Sequence, residues 1–300
     1  MKIQAKQSPL IDAEPLWYWI NRRHNIYLRR KAGDPWPWTN DKILQDYRFC
    51  NVFRELDTVT KWIDVNWRKP FATHPNLWFA MCLARQINWP ETLAEIGFPE
   101  KWNPERVRKI LNKRKINGKQ VYTGAYIITA GGRSIPKIDY TIDHVLTPLY
   151  RTPHVPNSIS ACAHTMHGLQ DTHKFLMQFQ GFGPFMAYEV VTDLRWTHYL
   201  RNARDIMSWA NAGPGAKRGL NRIWGRPHRS SLSQEQALDE MQRLLKMSQH
   251  DCGGRRPLLP HVPALEMRDI EHSLCEVDKY LRVKNGQGKP RSKYRAPESA

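Results

Sequence analysis

The chain has no cysteines at C-x-x-C spacing. Its five, Cys50, Cys82, Cys162, Cys252 and Cys275, are odd in number and widely scattered. That pattern excludes a disulfide framework and an ordinary zinc ribbon. His250, Cys252, His272 and Cys275 offer one possible zinc set, with His272 and Cys275 a helical turn apart. The other spacing fits no standard pattern, so incidental thiols and no bound metal are expected. Long apolar runs are missing too: the longest, Leu77 to Ala84, falls far short of a bilayer span. The opening MKIQAKQSPL lacks the apolar segment of a secretion signal. An intracellular protein with no membrane partner is the expectation. Acidic residues are few, 28 against 46 Lys and Arg, which leaves a formal net charge of +18. Such a surplus points to a polyanion, and nucleic acid is the default.

What is present supports a folded body. Hydrophobic residues make up 41% of the 300 positions, and twelve are Trp, well above the usual share. No repeat is visible, and no linker divides the chain before its end. From Arg282 onward six basic residues stand against the lone Glu298. The expected organisation is therefore one catalytic domain over residues 1–281 and a basic, mobile tail over 282–300.

The body reads as all-α. Thr39 or Asn40 is suited to cap a long helix beginning at Asp41, with Ile43, Tyr47, Phe53, Leu56 and Trp62 available for burial. Leu77 to Ile87 is apolar nearly all round, as a central helix would be. Asn103-Pro104-Glu105 places a cap, a first-turn proline and a first-turn acid in order. Ser233 and Gln236 form a capping-box pattern. Met267, Ile270, Leu274, Val277 and Leu281 step by three and four through a last helix. Val121 to Thr129 is the best strand candidate, interrupted by Gly124.

The most informative segment runs from Leu176 to Asp193. An apolar helix enters Gly181-Phe182-Gly183, and a second helix starts at Pro184. Two glycines one residue apart permit a sharp hairpin and a close backbone approach, and the first amides of the next helix favour a phosphate. The segment, about residues 170–195, resembles the hairpin of the helix-hairpin-helix DNA glycosylase superfamily. In that superfamily a catalytic Asp follows the first hairpin glycine at a similar remove to Asp205, 24 residues after Gly181. Phe185 stands where bifunctional members carry a Schiff-base lysine, and the four-cysteine iron–sulfur loop of some members is missing. Lyase chemistry by that amine is therefore not expected.

Further motifs extend the likeness. They are Asn21-Arg-Arg-His-Asn-Ile26, Pro37-Trp-Thr-Asn-Asp41, Tyr47-Arg-Phe-Cys-Asn-Val-Phe-Arg-Glu-Leu-Asp57 and Thr123-Gly-Ala-Tyr-Ile-Ile128. Gly213-Pro-Gly-Ala-Lys-Arg-Gly-Leu220 and Asp269-Ile-Glu-His272, continued by Leu274 to Tyr280, complete the series. In this order, from about Trp17 to Arg282, they resemble the phage alpha-glutamyl/putrescinyl thymine pyrophosphorylases, or amino acid:DNA transferases. The resemblance implies a glycosylase-like helical fold with N- and C-terminal helical extensions. It also implies an enzyme of thymidine hypermodification, protecting viral DNA from host restriction. Such an enzyme works in the infected host's cytoplasm, after a 5-hydroxymethyluracil DNA kinase. It replaces the phosphate of 5-phosphomethyluracil (or its pyrophosphorylated form) in double-stranded DNA with an amino acid such as glycine, or with a polyamine. No cofactor is implied.

That chemistry sets requirements for particular residues. A base reacting at its 5-methylene carbon must leave the stack and meet aromatic faces, for which Trp38, Tyr126 and Phe182 are candidates, with Trp36 and Phe185. A departing phosphate needs cations, for which Arg22, Arg48, Arg54, Lys217 and Arg218 are candidates. The glycines around Lys217 and Arg218 suit a phosphate nest but lack Walker A spacing. The attacking amine needs a base: Asp205 first, with Asp193, Glu189 and Asp57 as alternatives. For the duplex, Gly181 and Gly183 of the hairpin and the basic stretch Lys101–Lys119, including Lys109, Lys113 and Arg114, are the expected contacts. Two other readings stand beside the transferase: a glycosylase excising a modified base, and a non-catalytic DNA-binding protein.

Overall fold

The computed structural model describes residues 11–124, 126, 134–249, 262–290 and 292–295. In chain order its helices are α1 (Glu14–Ala32), α2 (Lys42–Asp46), α3 (Thr58–Ile63), α4 (Leu77–Ile87), α5 (Pro90–Ile96), α6 (Pro104–Ile116) and α7 (Lys137–Asp139). There follow α8 (Thr147–Arg151), α9 (Val155–Ala163), α10 (Gly168–Leu176), α11 (Pro184–Leu194), α12 (Pro214–Ile223), α13 (Gln234–Gln249) and α14 (Met267–Lys284). Wider π turns continue α3 over Asp64–Arg68 and join α7 to α8 over Tyr140–Leu146. Among the described residues there is no strand, only one isolated antiparallel bridge between Tyr47 and Lys293. The chain is all-α, as its sequence led us to expect. No described helix is long and apolar enough to cross a membrane.

The chain divides into two compact units, one of residues 1–56 with 210–300 and one of residues 57–209. In the first, α1, α12 and α13 pack on α14. Two glycines set the approach of α12. A Cβ on Gly215 would lie 2.3 Å from the Cys275 sulfur, and one on Gly219 would lie 2.4 Å from the Leu274 carbonyl oxygen. The glycines of the Gly213–Leu220 motif thus let two helix backbones meet. The chain after α14 comes back to this unit. Arg48 N–H donates to Ser292 O, Tyr294 N–H donates to Asp46 O, and the Tyr294 ring stacks on Trp36 at 5.4 Å. Residues 291 and 296–300 of the expected tail lie outside the described residues, as do His250 and Cys252 of the zinc set.

The second unit is built on α4, all eleven of whose residues are buried. α11 lies against α4, and α10 against both α9 and α11. Helix caps follow the sequence signals. Asn103 Oδ1 accepts from Arg106 N–H at 2.9 Å, and Ser233 Oγ accepts from Gln236 N–H at 3.0 Å, one arm of the expected box, while the Gln236 side chain donates to Glu240. The long helix expected from Asp41 is instead three short pieces: α2, a 3-10 turn over Arg54–Leu56, and α3. Asp41 itself is the cap, its Oδ1 accepting from Ile43 and Leu44. Tyr47 leaves α2 in extended conformation, where it bridges to Lys293, so the apolar spacing belongs to separate elements. The strand expected over Val121–Thr129 does not form at 121–124 or at 126, and its other positions lie outside the described residues.

The α12–α14 approach is directly testable. Gly219→Ala would push a methyl into backbone, which nothing flexible can relieve, and should cost about 3 kcal/mol of stability. Urea denaturation at neutral pH, with exposed Lys109→Ala as reference, measures it.

Candidate functional site

In the second unit, charge is buried around Arg85. This guanidinium, 2% exposed on the otherwise apolar α4, faces α11. Its Nε donates to Asp193 Oδ2 at 2.6 Å and its Nη2 to Asp193 Oδ1 at 2.8 Å. Nη2 also donates to Thr60 Oγ1 at 3.0 Å and Nη1 to Asn88 Oδ1 at 3.1 Å. Glu189, one turn before Asp193 on α11, brings Oε2 to 3.9 Å from Arg85, and Arg68 lies 3.8 Å from Asp193. Burial alone would favour loss of the Arg85 proton, but Asp193, Tyr126 and Glu189 outweigh it and hold its pKa up.

This cluster has an outward edge. The Tyr126 hydroxyl donates to Glu189, and its ring meets Phe185 edge-on at 4.9 Å. Phe185, in the first turn of α11, is 54% exposed, whereas Glu189 is 3% exposed. From solvent inward the order is Phe185, Tyr126, Glu189, Arg85 and Asp193. Such a column offers an aromatic face and, beneath it, a carboxylate already organised by a phenol. The hairpin stands beside it, because Gln86 on α4 donates to Gly181 O at 2.9 Å. Gly181 has φ +82°, and a Cβ there would lie 2.6 Å from Val145, so both backbone and packing demand glycine. Gly183 has ordinary φ and an open Cβ direction.

The other expected residues are dispersed. Asp205 is 1% exposed, with Oδ1 accepting from Leu169 N–H at 2.9 Å and Oδ2 from Gln170 N–H at 3.0 Å. It therefore caps α10 from a distant point in the sequence. Asp57 precedes α3, and Phe182 is fully buried core. Trp38, in the first unit, is 7% exposed and donates to Asp34 O at 2.7 Å. On α6, Lys109 and Lys113 are exposed, but Arg114 is 5% exposed and holds Glu95 and the Gln120 carbonyl.

In the first unit, Arg22 and Arg48 are exposed and Arg54 is half-buried. Lys217 donates to Leu232 O at 2.8 Å. Arg218 and Arg222 both bind the buried Asp278, at 2.8 and 2.9 Å. Sequence reasoning missed Arg85, although one arginine inside an apolar helix is a signal of a paired buried charge. Asp269 and Asp278 stood in the motif series without a role, and both are buried. Burial pushes the Asp269 carboxyl up to about 7, despite the opposing pull of Arg268.

A family model described as "5-hmdU DNA kinase, helical domain" matches residues 12–289. The chain belongs to this family. A 5-hmdU DNA kinase of Bacillus phage SP10 is 28% identical to this helical-domain chain over 300 residues, covering 89% of it and 45% of the relative. The chain therefore spans less than half the length of that relative. No solved structure matches, so the helix-hairpin-helix kinship with glycosylases has no match behind it.

These matches overturn the pyrophosphorylase resemblance and the amine-for-phosphate transfer drawn from it. The amino acid or polyamine co-substrate goes with them, and so does a place after a kinase, since the family is itself that of a kinase. The glycosylase and non-catalytic readings gain no support either. The physical reason lies in what the quoted motifs do. Gly215 and Gly219 seat α12 on α14, Asp41 caps α2, and Asp278 anchors two arginines. Residues of this kind specify a scaffold and leave the reaction undetermined.

Two measurements test these clusters. Arg85→Met strands Asp193 without a counter-charge and should cost about 3–5 kcal/mol in urea unfolding, part of it recovered in Arg85→Met/Asp193→Leu. Asp269 titrates from an unfolded value near 4 to about 7 when folded, so the native state binds the extra proton. Its contribution is fully present below the unfolded pKa and fades as pH rises toward 7. The stability of the wild type relative to Asp269→Asn should thus fall between pH 4 and 7, as read from thermal melts across that range.

Proposed function

We propose that this chain serves the phosphorylation of 5-hydroxymethyluracil in phage DNA, holding the duplex and presenting the hydroxymethyl group to a phosphoryl donor. The family match over residues 12–289 carries this reading. The column at α11 supports it in chemical terms. Phosphoryl transfer to a hydroxymethyl group needs the nucleotide out of the stack, an aromatic face to receive it, and a base within reach of the hydroxyl proton. Phe185 supplies the face. The Tyr126 hydroxyl takes the proton and passes its own to Glu189, to which it donates, as the hydroxymethyl oxygen bonds to the γ-phosphorus. The bond from that phosphorus to the β-phosphate oxygen breaks, and a nucleoside diphosphate leaves. Lys109 and Lys113 on α6 and the first amides of α11 hold backbone phosphates.

The donor nucleotide is held elsewhere in this reading. The glycine-rich stretch at Gly213 lacks Walker A spacing and packs on α14. The SP10 relative has more than half of its length outside the match, which leaves room for a nucleotide-binding domain.

A chimera in which this chain replaces the matched region of the SP10 relative tests the proposal. It should transfer labelled γ-phosphate from ATP to a duplex containing 5-hydroxymethyluracil and none to the thymidine duplex. Glu189→Gln should lower that rate about 100-fold or more while duplex affinity holds. A folded chimera without transfer, combined with equal binding of the two duplexes by this chain, overturns the proposal.

A further inference from the structure

We infer that α1 carries a second binding site, one that takes a single nucleobase and its phosphate. It goes beyond the reading above, since neither Glu189 nor the hairpin takes part. Along α1, within the first unit, runs a cleft of about 470 Å³ bordered by Trp17, Tyr18, Asn21, Arg22, His24 and Asn25. That volume falls in the range of sites for small organic ligands.

The lining has the chemistry of base recognition. The Tyr18 ring is fixed at its far end, where its hydroxyl donates to Asp41 Oδ2 at 2.9 Å. The Arg22 guanidinium lies 5.5 Å from its centroid. A ring held this way offers a stacking surface with little entropy left to lose. Asn21 and Asn25 stand one helical turn apart, on the same face. Each carboxamide has an acceptor oxygen and a donor nitrogen side by side, the complement of the imide edge of a pyrimidine or the amide edge of a purine. His24 is 5% exposed, and its Nδ1 has no hydrogen-bond partner. Burial, with the neighbouring Arg23 charge, lowers the His24 pKa below its ordinary value, so this wall of the cleft adds no positive charge at pH 7.

Charge and polarity point the same way. Among the described lining residues Arg22 is the one cation and Glu14 the one anion. Arg22 can hold a phosphate carried by the base, and a wholly apolar molecule would strand the carboxamides. The source of that base is either an unstacked nucleotide of DNA or a free nucleoside monophosphate.

Titration of the full chain distinguishes the two sources. Thymidine monophosphate, oligothymidylate and inorganic phosphate are each added, with calorimetry for affinity and the Asn21 and Asn25 side-chain amide resonances as local reporters. Saturable binding that moves those resonances is expected from the monophosphate, the oligonucleotide or both, the tighter of the two naming the source. Asn25→Ala, at an exposed position, should weaken it tenfold or more with the thermal melt unchanged. The proposal is overturned by resonances that move with neither nucleotide, by inorganic phosphate binding as tightly, or by Asn25→Ala affinity equal to wild type. The chimera's phosphate transfer is scored separately on Glu189→Gln, so failure here leaves that reading standing and the converse.

Discussion

Arg85 holds a full charge at 2% exposure in the middle of an apolar helix, and the second unit is arranged to make that tolerable. Removing a guanidinium from water costs several kcal/mol, recovered only when geometry is good and every donor finds an acceptor. Here Asp193 takes two donors in parallel, Thr60 and Asn88 take one each, and Glu189 lies 3.9 Å from Nη1. The acceptors come from α3, the end of α4, and α11. Three elements are thereby fixed in register by one side chain, as non-directional apolar packing alone could not do. The register matters for chemistry because Glu189 rides on α11 one turn from Asp193, and Phe185 one turn further out.

The first unit solves a different problem. Its helices meet through absence of side chain at Gly215 and Gly219, and through buried acids that gather arginines. Asp278 binds Arg218 and Arg222, while Arg268 reaches Glu55 at 2.6 Å. A net charge of +18 is thus divided between cations held by internal acids and cations such as Lys109, Lys113, Arg22 and Arg48 that face solvent. Only the second group can contribute to binding a polyanion at long range.

Local signals in the chain were dependable where local physics decides. The all-α class, the central helix at Leu77–Ile87, the caps at Asn103 and Ser233 and the last helix all follow from patterns within one or two turns. The Asp41 segment shows where such reasoning stops: its apolar spacing is helical, yet pairing with residues 292–295, over two hundred positions away, holds it extended. Site residues show the same division. Glu189 and Asp193 share one face of a recognisable helix, and their proximity could be read from i, i+4 spacing. That Arg85 would join them, or that Asp205 would be occupied with the first amides of α10, depends on tertiary approach. The reaction was least legible of all, because residues such as Gly215, Gly219 and Asp278 build a scaffold and carry no mark of the chemistry done on it.

Asp41 has one more consequence. Its carboxylate accepts from two amides of α2, from Tyr18 on α1, and from the Tyr280 hydroxyl on α14 at 2.7 Å. Four donors on one small group make a rivet through three helices. The wall of the α1 cleft is therefore mechanically continuous with the C-terminal helix, and Tyr18 cannot swing aside without breaking that joint. A wall so braced presents the same aromatic face to every ligand, and what binds there adapts to Tyr18, not Tyr18 to it.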